Sequence, residues 1–341
     1  MARMKAAVCV EPQKIEIKDV DVPQPKEYEV LVQVKATGLC GSDVDGYLNR
    51  HPMIGYPIIL GHEFSGVISE VGPGVENVSV GDEVIVEPFF TCTKCEACRQ
   101  GRYNLCEDLQ IIGHQINGSM AEHCLAQADF VHAKPKNISF AEAAIAEPLS
   151  GALHAVERCN LRAGDIVVII GCGTIGSFAL QHVRNKGARV LACDVKDSKV
   201  RLANTLGAMW AINRDLVDLK GKVMEITGGV GAECVIEAVG LPETLAETVG
   251  LVRRGGTAML IGWSGNETDP FDLTSVTLKE LTVLGTLGFC WDFQRTIPLA
   301  EMGLVDLKSI ITHHFSLEEV EKAIRMMYEG KDDVGKVIIE S

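Results

Sequence analysis

Residues 166–176 constrain this chain more than any other stretch. Ile166-Val167-Val168-Ile169-Ile170 is an unbroken β-branched run without polar alternation, and such a run suits a strand covered on both faces. Gly171-Cys172-Gly173-Thr174-Ile175-Gly176, a G-x-G-x-x-G, follows directly, and Ile175, Phe178, Ala179, His182 and Val183 then fall at helical spacing on one apolar face. Strand, glycine turn and helix in that order predict a parallel βα unit. Shorter runs at 189–193, 234–236, 257–261 and 281–284, with helical stretches between them, extend the pattern to a doubly wound α/β domain over residues 151–289.

The glycine turn also carries a binding expectation. Its glycines permit a tight bend and close backbone approach, and the helix that starts there presents free N–H groups and a positive dipole end to a pyrophosphate. Gly171, Gly173, Thr174, Ile175 and Gly176 are therefore candidate dinucleotide contacts. Asp194 follows the second strand, 18 residues after Gly176, where a carboxylate can accept bonds from both ribose hydroxyls. That charge favours NAD over a 2′-phosphate, although Lys196 and Lys199 keep NADP open. Lys199 joins the candidate cofactor contacts. The alternative is a glycine turn that binds nothing.

The flanks read differently. From residue 1 to about 140, short segments alternate apolar and polar positions, as at Val30, Val32 and Val34 or Val84 and Val86, with turns at Gly72-Pro73-Gly74 and Gly81-Asp82. An irregular β-rich domain is expected there. Near the C-terminus, Val320, Ala323, Ile324 and Met327 share one helical face, and 337–339 reads as a short strand. At 341 residues the chain exceeds what one core usually holds, in keeping with two domains.

Two cysteine settings bear on metal. Cys92, Cys95, Cys98 and Cys106 are spaced C-x2-C-x2-C-x7-C, and four thiolates around one tetrahedral zinc leave no position for a substrate. This is a closed, structural site; the alternatives are disulfides or a redox pair. Cys40 and His62, both flanked by glycine, suit an open zinc site whose third ligand comes from Glu63 or Glu147. Adjacent residues of an extended segment point to opposite sides, so His62 and Glu63 are not expected to face one ion together. Glu147 is thus the favoured third ligand, with Glu63 an alternate or a tuning neighbour.

With 46 acidic and 32 basic residues, a formal charge of -14 and no basic patch, phosphate backbones and anionic membranes are poor partners, so neither nucleic acid nor membrane binding is expected. No apolar run nears the ~20 residues that span a bilayer, and no charged-then-apolar leader opens the chain. Twelve cysteines without such a leader point to thiols and metal ligands in a reducing, cytoplasmic setting.

Taken in order, Cys40-Gly41-Ser42-Asp43, Gly61-His62-Glu63, the cysteine tetrad, Glu147-Pro148-Leu149-Ser150 and the glycine loop resemble the zinc-dependent medium-chain dehydrogenase/reductase family over essentially the whole chain. The Glu147 segment is similar to the sorbitol (polyol) dehydrogenase branch, where glutamate replaces a cysteine ligand. The resemblance implies a GroES-like catalytic domain over 1–150, completed by 290–341, a Rossmann NAD-binding domain over 151–289, and substrate bound in the cleft between. It implies two zinc ions per chain, one catalytic and one structural, and a homodimer or homotetramer. The implied catalytic set is Cys40, Ser42, His62, Glu63 and Glu147. A secondary alcohol of a polyol or sugar-like substrate would give hydride to NAD, and Ser42 would carry the proton away.

Some positions depart from the family's pattern. Asp45 stands where a histidine often continues the proton route, and Gly46 replaces a tyrosine, with Tyr47 one position later. The segment 285–295, with Phe289, Trp291 and Arg295, is expected beside the nicotinamide, and among the other histidines only His114 is placed near the cleft. Threonine, butanediol or sugar-phosphate polyol dehydrogenases share these parts. A zinc-stapled, NAD-binding sensor or scaffold is the alternative outside enzymes.

Overall fold

The computed structural model describes residues 2–265, 271–330 and 333–341. They divide into two compact units, one of residues 1–147, 293–302 and 311–341, the other of 148–292 and 303–310. Among the described residues no helix is long and apolar enough to cross a membrane.

The first unit is built on Glu29–Leu39, a strand whose two faces serve two cores. Val30, Val32 and Val34 pack with Phe64, Ile68, Val84 and Val86, whereas Leu31 and Leu39 pack with Tyr47, Leu60, Val337 and Ile339. The sequence pattern predicts one buried face; the other is buried too because a second core, to which Tyr47, Val320 and Ile324 belong, lies on it. Among the described residues that sheet runs Val131–Ala133, Glu83–Val86, Glu63–Val71, Glu29–Leu39, Lys336–Glu340, Ile311–Ser316, with His123–Gln127 also paired to Glu29–Leu39. The C-terminal strand is therefore an interior neighbour: Ile338 pairs with Gly38 and Ile339 with Thr37. Helix Val320–Glu329 lays Val320, Ala323 and Ile324 onto the second of those cores and ends at Gly330 in the left-handed region (φ 61°).

The second unit has a parallel sheet in the order Trp210–Asn213, Arg189–Asp194, Ile166–Ile170, Ala232–Glu237, Val252–Leu260, Thr282–Gly285 among the described residues. Ile166–Ile170 is central and wholly buried, as its composition predicts. This is the Rossmann arrangement, whose ligand crevice lies at the carboxyl ends of the strands where the order reverses. Trp210–Asn213, a half-buried edge strand of four residues, is not among the runs singled out in the sequence. Helix Thr174–Asn185 is buried through 176–183 rather than on one face. The polar side is covered as well: Gln181 exchanges hydrogen bonds with the Asp306 backbone, and the His182 ring lies 3.1 Å from the Leu149 carbonyl oxygen.

Candidate active site and cofactor loop

Cys40 ends the Glu29–Leu39 strand and caps helix Gly41–Tyr47. The cap is reciprocal with Asp43, whose Oδ2 accepts the Cys40 N–H at 2.9 Å. The other oxygen, Oδ1, accepts the Gly61 N–H at 3.0 Å and lies 3.7 Å from His62 Nδ1. One buried carboxylate thus ties the Cys40 turn to the His62 turn. Burial alone would raise the Asp43 pKa, but the His62 charge and the bonds Asp43 receives hold it below the usual range.

Ligand atoms of Cys40, His62 and Glu63 lie within 4.8 Å of one another. The expectation that His62 and Glu63 diverge does not hold. Gly61 adopts φ 94°, a value that a side chain would disfavour, and the strand begins only at Glu63, so His62 lies outside the strand rather than in an extended pair. Glu63 pairs with Gly38 across the sheet, and a Cβ on Gly38 would fall 2.2 Å from Glu63 Oε2. Only glycine leaves that carboxylate its place. Buried Lys336 holds both Glu63 oxygens, at 2.7 and 2.8 Å, and also donates to the Leu39 carbonyl at 3.1 Å. Although burial opposes it, the Glu63 charge keeps the Lys336 pKa raised.

Glu147, in the first turn of helix Ala146–Arg158, is outside the 4.8 Å group that it was expected to complete. Its carboxyl nevertheless shares the field of His62, Glu63, Lys336 and Asp43. Burial, opposed by His62, pushes its pKa up to about 7. Against the cost of burial, Asp43 and Cys40 raise the pKa of His62 well above the ordinary value. A thiol and three carboxylates share this place with one imidazole and one lysine, so acidic groups outnumber basic ones. A divalent cation fits it.

Three side chains here hold buried polar atoms that have no hydrogen-bond partner among the described residues: Ser42 Oγ, His62 Nδ1 and both ring nitrogens of His114. The His114 ring lies 5.1 Å from that of His62 and 4.6 Å from that of His51, centroid to centroid. Burial pushes the His114 pKa down to about 3, so its imidazole is neutral. Tyr47 takes no part. Its hydroxyl donates to Gln13 O and reaches Glu321 Oε1, both at 2.9 Å. Gly46 is closely packed, and a Cβ there would meet Ile54 Cδ1 at 2.7 Å. Asp45 is half-buried on the same helix, and its charge is felt at His51. Phe289 is buried, whereas Trp291 and Arg295 are exposed.

The tetrad forms a second group, with all four sulfurs within 4.8 Å. Cys95 N–H approaches Cys92 Sγ at 3.3 Å and Cys92 N–H approaches Cys106 Sγ at 3.4 Å, as thiolates facing a metal require. Backbone N–H groups lower the Cys95 pKa to about 6, while burial and the neighbouring sulfurs push Cys98 up to about 12. Four thiols this close cannot all ionise without a cation among them. All twelve cysteines are free. Tyr103 anchors the loop: its ring packs 4.9 Å from Phe130 and its hydroxyl donates to buried Glu87 at 2.8 Å. Neither Tyr103 nor Asp43 was singled out from the sequence, although Asp43 sits in the Cys40 motif, where a carboxylate three residues after a cap could have disclosed it.

The glycine loop of the second unit meets the steric demands of a dinucleotide cradle. Gly171 has φ 92°, a Cβ on Gly176 would fall 1.8 Å from Gly171 O, and one on Gly173, the helix cap, would meet nothing within 4 Å. The first and third glycines let strand and helix pack; the second faces open space. Thr174 and Ile175 open the helix, half-buried. Asp194 ends its strand and accepts the N–H groups of Cys172 at 2.8 Å and Lys196 at 3.0 Å. A carboxylate with two such bonds keeps lone pairs for two hydroxyls. Lys199 is half-buried in the first turn of Asp197–Thr205, and its charge is felt at Cys172.

Comparison with known proteins accords with both units. The alcohol dehydrogenase GroES-like domain family matches residues 26–136, and the zinc-binding dehydrogenase family matches 174–302. A sorbitol dehydrogenase of Bacillus subtilis (strain 168) is 33% identical, covering 98% of this chain and 97% of its own. An alcohol dehydrogenase of E. coli CFT073, solved with NADH, superposes with TM-score 0.93 at 29% identity over all of both chains. Galactitol-1-phosphate dehydrogenase of Escherichia coli gives 0.92 at 29%, over 99% of this chain and 100% of the other. With one relative at this identity over nearly its full length, and with both domain families in their places, the chain belongs to the zinc-dependent medium-chain dehydrogenase/reductase family, in its sorbitol dehydrogenase-like branch.

Proposed function

We propose that this enzyme oxidises a secondary alcohol of a polyol or sugar-like substrate to the ketone, with NAD taking the hydride and one proton released. The observation that carries this reading is the group of Cys40, His62 and Glu63, whose ligand atoms lie within 4.8 Å of one another, with a buried, unpaired Ser42 hydroxyl two residues after Cys40. These three residues would hold the catalytic zinc. Glu147 stands beside them as an alternate ligand, and Cys92, Cys95, Cys98 and Cys106 would hold the structural zinc. A zinc ion there supplies a Lewis acid, which brings the ionisation of an oxygen ligand from about 15.7 towards 7.

Every other part is done by the chain's own residues. Asp43 fixes the Cys40 and His62 turns at once, so the ligand set is preorganised. Lys336 offsets the Glu63 charge and holds both its oxygens in one orientation. Ser42 Oγ, buried and unpaired, accepts the substrate hydroxyl's proton and passes it on, and Asp45 on the same helix is a carboxylate able to receive it. Gly171, Gly173, Thr174, Ile175 and Gly176 cradle the pyrophosphate, Asp194 takes the ribose hydroxyls, and Lys199 adds positive charge near the loop. We assign the protein to the cytoplasm, where its free thiols persist, as a homodimer or homotetramer.

A panel of polyols, sugar phosphates, diols and threonine, each with NAD and NADP, tests the reading. The expected result is NADH formation with polyols and about two equivalents of zinc per chain. One zinc with no turnover of any alcohol would overturn it in favour of a zinc-stapled nucleotide-binding protein.

A further inference from the structure

His114 is the one side chain in the first unit, among the described residues, with both titratable nitrogens buried and neither hydrogen-bonded. It is 7% exposed, and an imidazole so enclosed forfeits two bonds that water would give. Its position is not an accident of a slack loop. Residues 113–115 turn between Ile112 and Ile116, which bridge each other, and Gly113 N–H donates to Ile116 O at 2.8 Å. The following residues are sewn onto the chain leading to His62: Gly118 N–H to Ile59 O at 2.7 Å, Ser119 N–H to Gly61 O at 2.9 Å, Met120 N–H to Leu60 O at 3.0 Å. A Cβ on Gly113 would lie 2.6 Å from Gly61 O, and one on Gly118 would lie 2.3 Å from it. Two glycines therefore press the His114 turn directly against the turn that presents His62.

A rigidly placed imidazole turns two ring nitrogens to hydrogen bonding, and a hydroxyl group, which both donates and accepts, can serve them. A simple alcohol has one hydroxyl, which the metal group and Ser42 already engage. A polyol has another on the adjacent carbon. We propose that His114 hydrogen-bonds the hydroxyl next to the carbon being oxidised, and so makes the enzyme prefer polyhydroxylated substrates to simple secondary alcohols. This inference rests on the oxidation of a polyol proposed above.

The test compares the best polyol of the panel with its analogue lacking that one hydroxyl, in the wild type and in His114→Ala and His114→Gln. In the wild type, kcat/KM should fall about 10- to 100-fold on loss of the hydroxyl, because a site built to bond a hydroxyl discriminates against its absence. In His114→Ala the two substrates should become nearly equal through loss on the polyol alone, and His114→Gln, which keeps a donor and an acceptor, should recover part of the difference. Zinc content and melting temperature of each variant, and calorimetric binding of the polyol to the zinc-loaded enzyme with NADH, supply readouts apart from turnover. Polyol binding should weaken in His114→Ala while zinc content stays the same. Equal turnover of both substrates by the wild type, or an equal loss on both in His114→Ala, would overturn the inference and leave the dehydrogenase reading standing. Absence of turnover with any alcohol would overturn that reading instead, and unchanged polyol binding in His114→Ala would still count against His114.

Discussion

One carboxylate oxygen of Asp43 takes the Cys40 N–H and the other takes the Gly61 N–H, so the turns of two candidate zinc ligands are set by one buried residue. Replacing it with Asn keeps the shape but loses the charge that faces His62. Asp43→Asn should weaken zinc affinity about 10- to 100-fold, read by competition with a chelator, with a smaller effect on melting temperature. Cys40→Ser removes a ligand outright. It should lower kcat/KM by about 10³-fold or more while the folded protein still binds NADH, since the metal's contribution is several kcal/mol of charge stabilisation. Of the site, Cys40, His62 and the tetrad were legible because metal spacing and residue type announce them. The roles of Glu63 and Glu147 were not. Which of them stands with His62 depends on the φ of Gly61 and on Lys336, and neither is visible in a local pattern.

At the scale of elements, the strand Lys336–Glu340 and the loop 92–106 are two ways of fastening the first unit. Lys336 is 4% exposed and Glu63 wholly buried, so removing the lysine strands a charge. Lys336→Met should destabilise this unit by about 3–5 kcal/mol, measured by chemical denaturation, and adding Glu63→Gln should return part of that loss. Cys95→Ser should act on the loop first, reducing bound zinc by about one equivalent and lowering the melting temperature before the chemistry suffers. The strands and helices of the second unit were readable because a parallel sheet writes itself as apolar runs between helical stretches. Glu29–Leu39 was read as half-buried because alternation is local, whereas its second face belongs to a core that includes Val320, Ala323 and Ile324, far along the chain. The same remoteness hid the buried outer side of Thr174–Asn185, which the segments around Leu149 and Asp306 cover.

For the molecule as a whole, the candidate cofactor loop and the candidate metal groups lie in different units and should respond to mutation separately. Asp194→Ser should reduce affinity for NAD and narrow its advantage over NADP, seen as a rise in the NADP to NAD ratio of kcat/KM, without altering zinc content. Zinc removal should have the converse effect, ending turnover while NADH still binds. The first unit also has a peculiarity of order. Lys336 and its acceptor Leu39 are 297 positions apart, and the strand that carries Lys336 is an inner member of the sheet. On a ribosome, Glu29–Leu39 emerges early, and the part of its edge over residues 36–39 must wait until nearly everything between has been synthesised. The nascent protein can form its nucleotide-binding sheet while the sheet made first is still open, and a cell that supplies zinc too soon would find the thiol and imidazole without the lysine that locks their glutamate.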